Sequence, residues 1–170
     1  EKIPRDFCEK NLQSNGSRIF TQGTLVLDIR PVEPTDYDQW KVLYSGYKQF
    51  YGVDVSEADL QTTFGWILND EHPQYGFVVE VDDKLVGLAN YQVHPNPLRA
   101  SHRMYLNDLF VPNQFRNQGY GRIMIETLIS ICKNNGFECL RWMTAEDNTT
   151  ARSLYDQYGS VSSFVTYEVK

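Results

Sequence analysis

Between Phe115 and Arg122 the chain reads FRNQGYGR, two arginines and two glycines set directly ahead of a long apolar run. A helix N-terminus leaves several backbone N–H groups without internal partners, and the helix dipole adds roughly half a positive charge there. Such an end attracts phosphate. For those amides to close around a pyrophosphate, the chain must turn sharply and carry no side chain at the contacts, which Gly119 and Gly121 allow. Arg116 and Arg122 add charge-assisted donors at the same place, and the main chain of Asn117, Gln118 and Tyr120 completes the cradle. The pattern is neither the phosphate loop GxxxxGK followed by Ser or Thr, nor a GxGxxG after the first strand. It is R-x-x-G-x-G, following an apolar strand and opening an amphipathic helix.

The elements that hold this loop are legible in the hydrophobic pattern. TLVLDIR (24–30) alternates Leu25, Leu27 and Ile29 and reads as a half-buried strand. Thr35 is placed to cap a helix in which Trp40, Leu43, Tyr44 and Tyr47 share a face up to about Phe50. A second helix is expected from Ser56, with Leu60, Phe64, Ile67 and Leu68 inward. Residues 75–93 form two β-rich runs joined across Asp82-Asp83, a hairpin signal, and 94–101 read as a loop by their prolines. RMYLNDLFV (103–111) is a strand near the middle of the sheet, ending at Pro112.

The phosphate loop then leads into a helix from about Gly119 to Asn134, with Ile125, Leu128, Ile129 and Cys132 buried and Gly136 as the stop. FECLRWMTA (137–145) is a further strand. Asn148 caps a shorter helix carrying Ala151, Leu154, Tyr155 and Tyr158 on one face, stopped by Gly159, and SFVTYEVK closes the chain as a last strand. The order β-α-α-β-β-β-α-β-α-β implies an α/β (α+β) fold, a single mixed and mostly antiparallel sheet with helices on both faces.

At 170 residues the chain suits one domain, taken as 24–170 behind a polar lead-in, 1–23. A formal net charge of −6 argues against a nucleic-acid partner and fits a cationic one. No apolar run reaches the ~20 residues that span a bilayer, so no membrane partner is expected. Cys8, Cys132 and Cys139 lack ligand or framework spacing, which points to a reducing cytoplasm, and His72, His94 and His102 are scattered, so no metal site is expected.

The loop has company on both sides. MYLNDLFV precedes it, and NTTARSLYDQYG follows as N-x-x-A-x-x-x-Y-x-x-x-G. Over about residues 25–170 the chain resembles the GCN5-related N-acetyltransferase (GNAT) superfamily; WKVLYSGYKQFYGV and YLNDLFV look like its histone-and-polyamine branch. The resemblance implies that the loop holds the pyrophosphate of acetyl-CoA, a cosubstrate used without a metal. It also implies that the pantetheine arm runs along the backbone of Leu109, Phe110 and Val111, where that strand parts from the 137–144 strand. An amine then attacks the thioester directly in a ternary complex, Leu109 N–H polarises the acetyl carbonyl, and Tyr155 supplies a proton to the departing coenzyme A thiolate. Asn148 opens the helix beneath it and adds a cofactor contact.

The acceptor implied is a small cationic amine, polyamine or amino-acid-like, or a lysine or N-terminal amine of a protein, with selectivity in loops 50–56 and 94–101. A homodimer or dimer of dimers also follows from the likeness. Polyamine acetyltransferases that this chain resembles carry an acid where Asn107 stands. The base is then Asp108, which strand alternation turns to the other face unless a bulge intervenes, or Glu80 through water, or absent. Tyr44, Tyr47, Tyr51, Tyr91 and Tyr105 are candidate walls of an aromatic cage. The rival reading is a non-catalytic acyl-CoA sensor or scaffold, favoured by the amide at 107 and opposed by the intact Tyr155.

Overall fold

Period-two apolar patterning builds the sheet from its first residues. In the computed structural model, which describes residues 26–169, β1 spans Leu27–Pro31 and pairs antiparallel with β2, Gln74–Val81. The lead-in 1–23 lies outside the described residues. β2 turns through Asp82 and Asp83, both at positive φ (48° and 61°), into β3, Lys84–Asn96. That is a two-residue turn whose backbone twist matches that of the strands. β4, Ser101–Phe110, continues the antiparallel meander, and the three-residue β5, Leu140–Trp142, adds parallel to β4. The five strands lie in sequence order.

Two layers of helix cover the two faces. α1 (Tyr37–Phe50) and α2 (Glu57–Leu68) bury Trp40, Leu43, Leu60, Phe64 and Ile67 against Val78, Leu85 and Leu88. On the other face α3 (Tyr120–Asn134) buries Met124, Ile125, Leu128 and Ile131 against Phe77, Val79, Met104 and Leu106. The short α4 (Thr149–Tyr155) packs Leu154 and Tyr155 on that same cluster. Ser56 caps α2 by accepting the Asp59 N–H at 3.1 Å, and Asn148 caps α4 through the Ala151 N–H at 3.3 Å.

The expected cap of α1 moves by one residue. Pro34–Asp36 form a 3-10 turn, and Asp36 rather than Thr35 stands at the helix N-terminus. The Arg30 guanidinium donates to both oxygens of Asp36, at 2.8 Å each, and also to Glu80, so one cation ties β1, β2 and the start of α1 together. Burial pushes Asp36 upward, but the Arg30 hydrogen bonds and the Glu33 N–H outweigh it and hold the carboxyl below its ordinary value.

Three further expectations are corrected. The proline-marked loop 94–101 is mostly strand: Pro95 pairs opposite His102 and Asn96 opposite Ser101, leaving only a 3-10 turn at Pro97–Arg99 and Ala100 between them. Beyond Gln92 the strand β3 has no β2 neighbour, so the missing amide of Pro95 costs no ladder bond on that side. The buried stripe of α3 uses Ile131, with Ile129 only partly buried.

The expected last strand is not formed. Residues 159–169 are irregular, and Val161, Phe164, Val165, Tyr167 and Val169 are largely exposed. A strand needs a ladder partner, and the edge offered by β5 is three residues long.

The turn yields a direct test. Asp83 sits at φ 61°, where glycine is at home, while Asp82 also accepts the Val26 N–H at 3.1 Å and should be kept. Asp83→Gly is expected to raise unfolding free energy by about 0.5–1 kcal/mol in urea titration; an unchanged or lower midpoint would show that the aspartate is tolerated there without strain.

Candidate active site

The geometry of the cleft begins with a slip in strand register. On β3 and β4, Asn90 is opposite Asp108 and Tyr91 is opposite Leu106, so Asn107 is an extra residue with no partner of its own. Such a bulge places successive side chains on the same side of the sheet and restores the alternation one step later. Leu106 packs under α3, Leu109 returns to that face, and Phe110 meets the cluster under α1. Asp108 therefore points toward α1. Its Oδ2 accepts from the Asn90 amide at 2.9 Å and from the Tyr44 hydroxyl at 3.2 Å, while the Tyr47 hydroxyl donates to the Asn107 carbonyl at 3.4 Å.

No cation pairs with Asp108 among the described residues, and its hydrogen-bond donors are neutral. Burial pushes its carboxyl above the ordinary carboxylate range, with the Asn90, Tyr47 and Tyr44 hydrogen bonds offsetting part of the shift. Both tyrosine hydroxyls are in turn pushed up, by burial first and by the nearby carboxylate second. Asn90 is itself nearly inaccessible, and its Oδ1 has no hydrogen-bond partner. Gly76 makes room for that amide: a Cβ there would lie 2.9 Å from Asn90 Oδ1.

The bulge coincides with a parting of strands. β5 pairs with β4 only at Met104, Tyr105 and Leu106, so from Asn107 onward the outer edge of β4 has no strand beside it among the described residues. The freed edge includes Leu109 and Phe110 and runs on to Val111, whose carbonyl accepts from Arg116 Nε at 2.9 Å. At the end of this edge α3 begins. Gly119 is its N-cap at φ +88°, with nothing within 4 Å of where a Cβ would stand, and Asn117 is also at positive φ, 61°. The first amide used by the helix is Ile123 N–H, bonded to the Gly119 carbonyl, so those of Tyr120, Gly121 and Arg122 precede the ladder. A Cβ on Gly121 would make ordinary contact with Leu154 at 3.6 Å.

This is a cradle that fits a phosphate: three leading amides, a left-handed turn and open space in front. Both arginine side chains border this loop and also have protein partners. Arg116 lies over the Phe50 ring, 5.7 Å from its centroid. Arg122 reaches along the helix to Gln157 Oε1 (2.6 Å) and the Tyr158 hydroxyl (3.0 Å), clamping α3 to the end of α4. Gln118 donates to the Gln114 carbonyl and accepts from the Tyr120 hydroxyl, ordering the loop from within.

Across the gap, Tyr155 lies at the end of α4 with its ring edge-on to Trp142, centroids 5.3 Å apart. Burial, and secondarily Tyr51, push its phenol up to about 12. It stays protonated at neutral pH. Asn148 Nδ2 donates to Thr144 Oγ1 at 3.1 Å, fixing the turn from β5 into α4. Phe50 and Tyr51 face Asn148, Thr149 and Thr150 across a cleft of about 320 Å³; a second hollow of about 680 Å³ opens between α1 and the loop after β4, with Phe50, Phe110 and Arg116 in its wall.

The structure thus brings together the free edge at 107–111, the loop 116–122, Asn148, Tyr155 and Asp108. It does not bring Glu80 there. Glu80 is opposite Leu85, five positions along β3 from Asn90, about 17 Å at strand spacing, and is held by Arg30. Tyr91 leaves the proposed cage too, buried on the opposite face and stacked on Tyr75 at 5.3 Å. Tyr44, Tyr47 and Tyr51 do form a run of neighbouring rings, 5.8 and 5.2 Å apart. Sequence reasoning missed Asn90 and Gln74. Their signal was a polar residue inside an otherwise apolar strand. No group of His, Cys, Asp or Glu suited to a metal ion occurs among the described residues, and none of their helices is long and apolar enough to cross a membrane.

Residues 40–159 match the model of the acetyltransferase (GNAT) family. The chain is 27% identical over 143 residues to the D-amino-acid N-acetyltransferase HPA3 of Saccharomyces cerevisiae, covering 82% of this chain and 88% of that one. It is 29% identical over 147 residues to the uncharacterized N-acetyltransferase YhfO of Bacillus subtilis, covering 83% and 95%. Among solved structures, the aminoglycoside N-acetyltransferase AAC(6')-Iy in complex with CoA superposes with a TM-score of 0.71 at 21% identity, over 85% of this chain and 94% of that one.

The buried carboxyl makes a pH-dependent prediction. With its folded pKa above the unfolded value, Asp108 weakens the fold once ionised; the penalty is absent below the ordinary carboxylate range and complete above the raised value. Asp108→Asn is expected to melt higher than wild type at pH 7, with the difference shrinking toward pH 4. A gap that is constant with pH would mean that burial of this group does not carry the shift.

Proposed function

The chain belongs to the acetyltransferase (GNAT) family, and on that premise we propose that it transfers the acetyl group of acetyl-CoA to a small primary amine by direct attack in a ternary complex. The observation that carries this reading is the alignment of three features: a β4 edge without a strand partner past Leu106, the leading amides of α3 at its end, and Tyr155 across the gap. The amides of Tyr120, Gly121 and Arg122 receive the pyrophosphate, with the main chain of Arg116, Asn117, Gln118 and Gly119 shaping the turn. The backbone of Leu109, Phe110 and Val111 receives the pantetheine arm as an added strand would be received. Leu109 N–H donates to the acetyl oxygen as negative charge develops there.

Two protons must leave the acceptor. A primary ammonium near pKa ~10.4 is neutral in only about one molecule per few thousand at pH 7. The carboxylate of Asp108, shielded from cations and facing α1, takes the first proton. The free amine then forms the C–N bond, the C–S bond breaks, and the second proton ends on the coenzyme A sulfur. A phenol at about 12 facing a thiol near ~8.5 gives up its proton only at a cost of roughly 5 kcal/mol. Tyr155 therefore stabilises the departing thiolate as a hydrogen-bond donor, and the proton it finally passes on is replaced from the amine. Asn148 sets the position of α4 through its cap and its bond to Thr144.

A small acceptor is supported by the likeness to a D-amino-acid N-acetyltransferase. This reading keeps the domain as 24–170 and the homodimer or dimer of dimers, in the cytoplasm, that the resemblance suggests.

Release of free coenzyme A thiol, followed with acetyl-CoA and a panel of amines, is the deciding experiment; tight cofactor binding without turnover on any amine would move the protein to the sensor reading. Tyr155→Phe is expected to lower kcat by roughly 100-fold while leaving acetyl-CoA affinity near wild type, and unaltered turnover would take the phenol out of the mechanism. Gly121→Val, which adds a branched side chain at the second of the three leading amides, is expected to weaken coenzyme A binding by about tenfold or more in calorimetry with the circular dichroism spectrum retained.

A further inference from the structure

The bulge aligns two side chains of opposite character on the α1 side of the cleft: the carboxylate of Asp108 and, beside it at the mouth, the exposed carboxamide of Asn107. That amide is the outer end of a chain of polar contacts that starts at main-chain carbonyls. Gln74 is buried, and its side chain lies against the carbonyl oxygens of Tyr91 (3.1 Å) and Tyr75 (3.3 Å). Carbonyls only accept, so the Gln74 atom facing them is Nε2, and its Oε1 is left to accept from Gln92 at 3.0 Å. The same Nε2, whose two hydrogens face those carbonyls, lies 3.5 Å from Asn107 Oδ1, the outer limit of a hydrogen bond; Nδ2 in that place would set two N–H groups against each other. Asn107 Nδ2 is turned the other way and donates to nothing among the described residues.

We propose that the acceptor is a free α-amino acid, its ammonium directed to Asp108 and its carboxylate received by the outward Nδ2 donors of Asn107, which makes Asn107 the specificity-determining residue of the site. This rests on the acetyl-transfer reading and names its substrate class. In an α-amino acid the two charged groups hang from one carbon, so they need a donor and an acceptor close together, as consecutive bulge residues provide. A polyamine brings a second ammonium to Nδ2, where two donors would meet. A carboxamide keeps an oxygen for Nδ2 but loses the charge assistance, which roughly halves the strength of the bond. The tyrosine run Tyr44, Tyr47 and Tyr51 leaves the cation side of the pocket flanked by rings and hydroxyls.

The test compares alanine, leucine and phenylalanine, each in both enantiomers, with their carboxamides and with spermidine, using coenzyme A release by the full chain. For the wild-type protein the preferred free amino acid is expected to exceed its own carboxamide in kcat/KM by about tenfold, expressed mainly in KM. Asn107→Asp is expected to invert that order, raising KM for the amino acid and favouring the carboxamide and spermidine, with KM for acetyl-CoA unchanged. A wild-type ratio near one overturns the assignment, and so does a ratio that survives in Asn107→Asp. The wild-type ratio needs no variant, so the proposal stands or falls even if that substitution fails to fold. Turnover of spermidine without turnover of amino acids defeats this inference alone; absence of turnover on every amine defeats the acetyl-transfer reading and this inference with it.

Discussion

A single unpaired residue in β4 sets what the cleft can do. Without the extra position at Asn107, Leu106, Asp108 and Phe110 would share one face of the strand, and the carboxylate would be driven into the aliphatic layer under α3. With it, Asp108 turns to the tyrosines of α1, Leu109 resumes the core pattern, and Phe110 joins the second cluster. The bulge lies where β5 stops pairing, so one local irregularity both aims the polar groups and marks the start of the free edge. A regular ladder would satisfy every amide of β4 and leave none to receive a ligand.

The rest of the molecule holds that irregularity in place. Met104 and Leu106, both inaccessible or nearly so, anchor β4 to α3 just before the bulge. Asn90 receives its far side, with the bare Cα of Gly76 allowing the amide to lie flat against β2. Trp40 and Tyr44 stack at 4.6 Å, carrying the fixed position of the α1 core out to the hydroxyl that meets Asp108. At the remote edge Arg30 joins Asp36 and Glu80, so the start of α1 is referenced to the sheet by charge as well as by packing. This burial of ionic groups in a fully paired cluster contrasts with Asp108, whose partners are all neutral. The contrast separates a carboxylate fixed by ion pairs from one held only by neutral donors.

The start of α3 follows different physics. Gly119 is required by its φ of +88°, whereas at Gly121 a Cβ would make only ordinary contact with Leu154. Arg122 donates from Nη1 to Tyr158 and from Nη2 to Gln157, and Tyr158 in turn donates to Glu126. The start of α3 is thereby fastened to the segment that follows Tyr155 at the end of α4.

Much of this was written in local pattern. The helices of Trp40, Leu60 and Ile125, the Asp82-Asp83 hairpin and the Ser56 and Asn148 caps all follow from near neighbours in the chain, because capping and periodicity involve residues a few positions apart. So does the loop at 115–122, whose glycines and following amphipathic run need no distant partner to be recognised. What the chain alone left open was every question of facing. The bulge that turns Asp108 depends on the register of β3 against β4, the distance of Glu80 depends on the pairing of β2 with β3, and the facing of Asn107 depends on Gln74 in another strand. The pairing of 94–96 and the missing ladder at 163–169 were decided in the same way, by which strand edge lay within reach. Hydrogen-bond partners across a sheet are set by register, and register is a property of assembled strands rather than of any one of them.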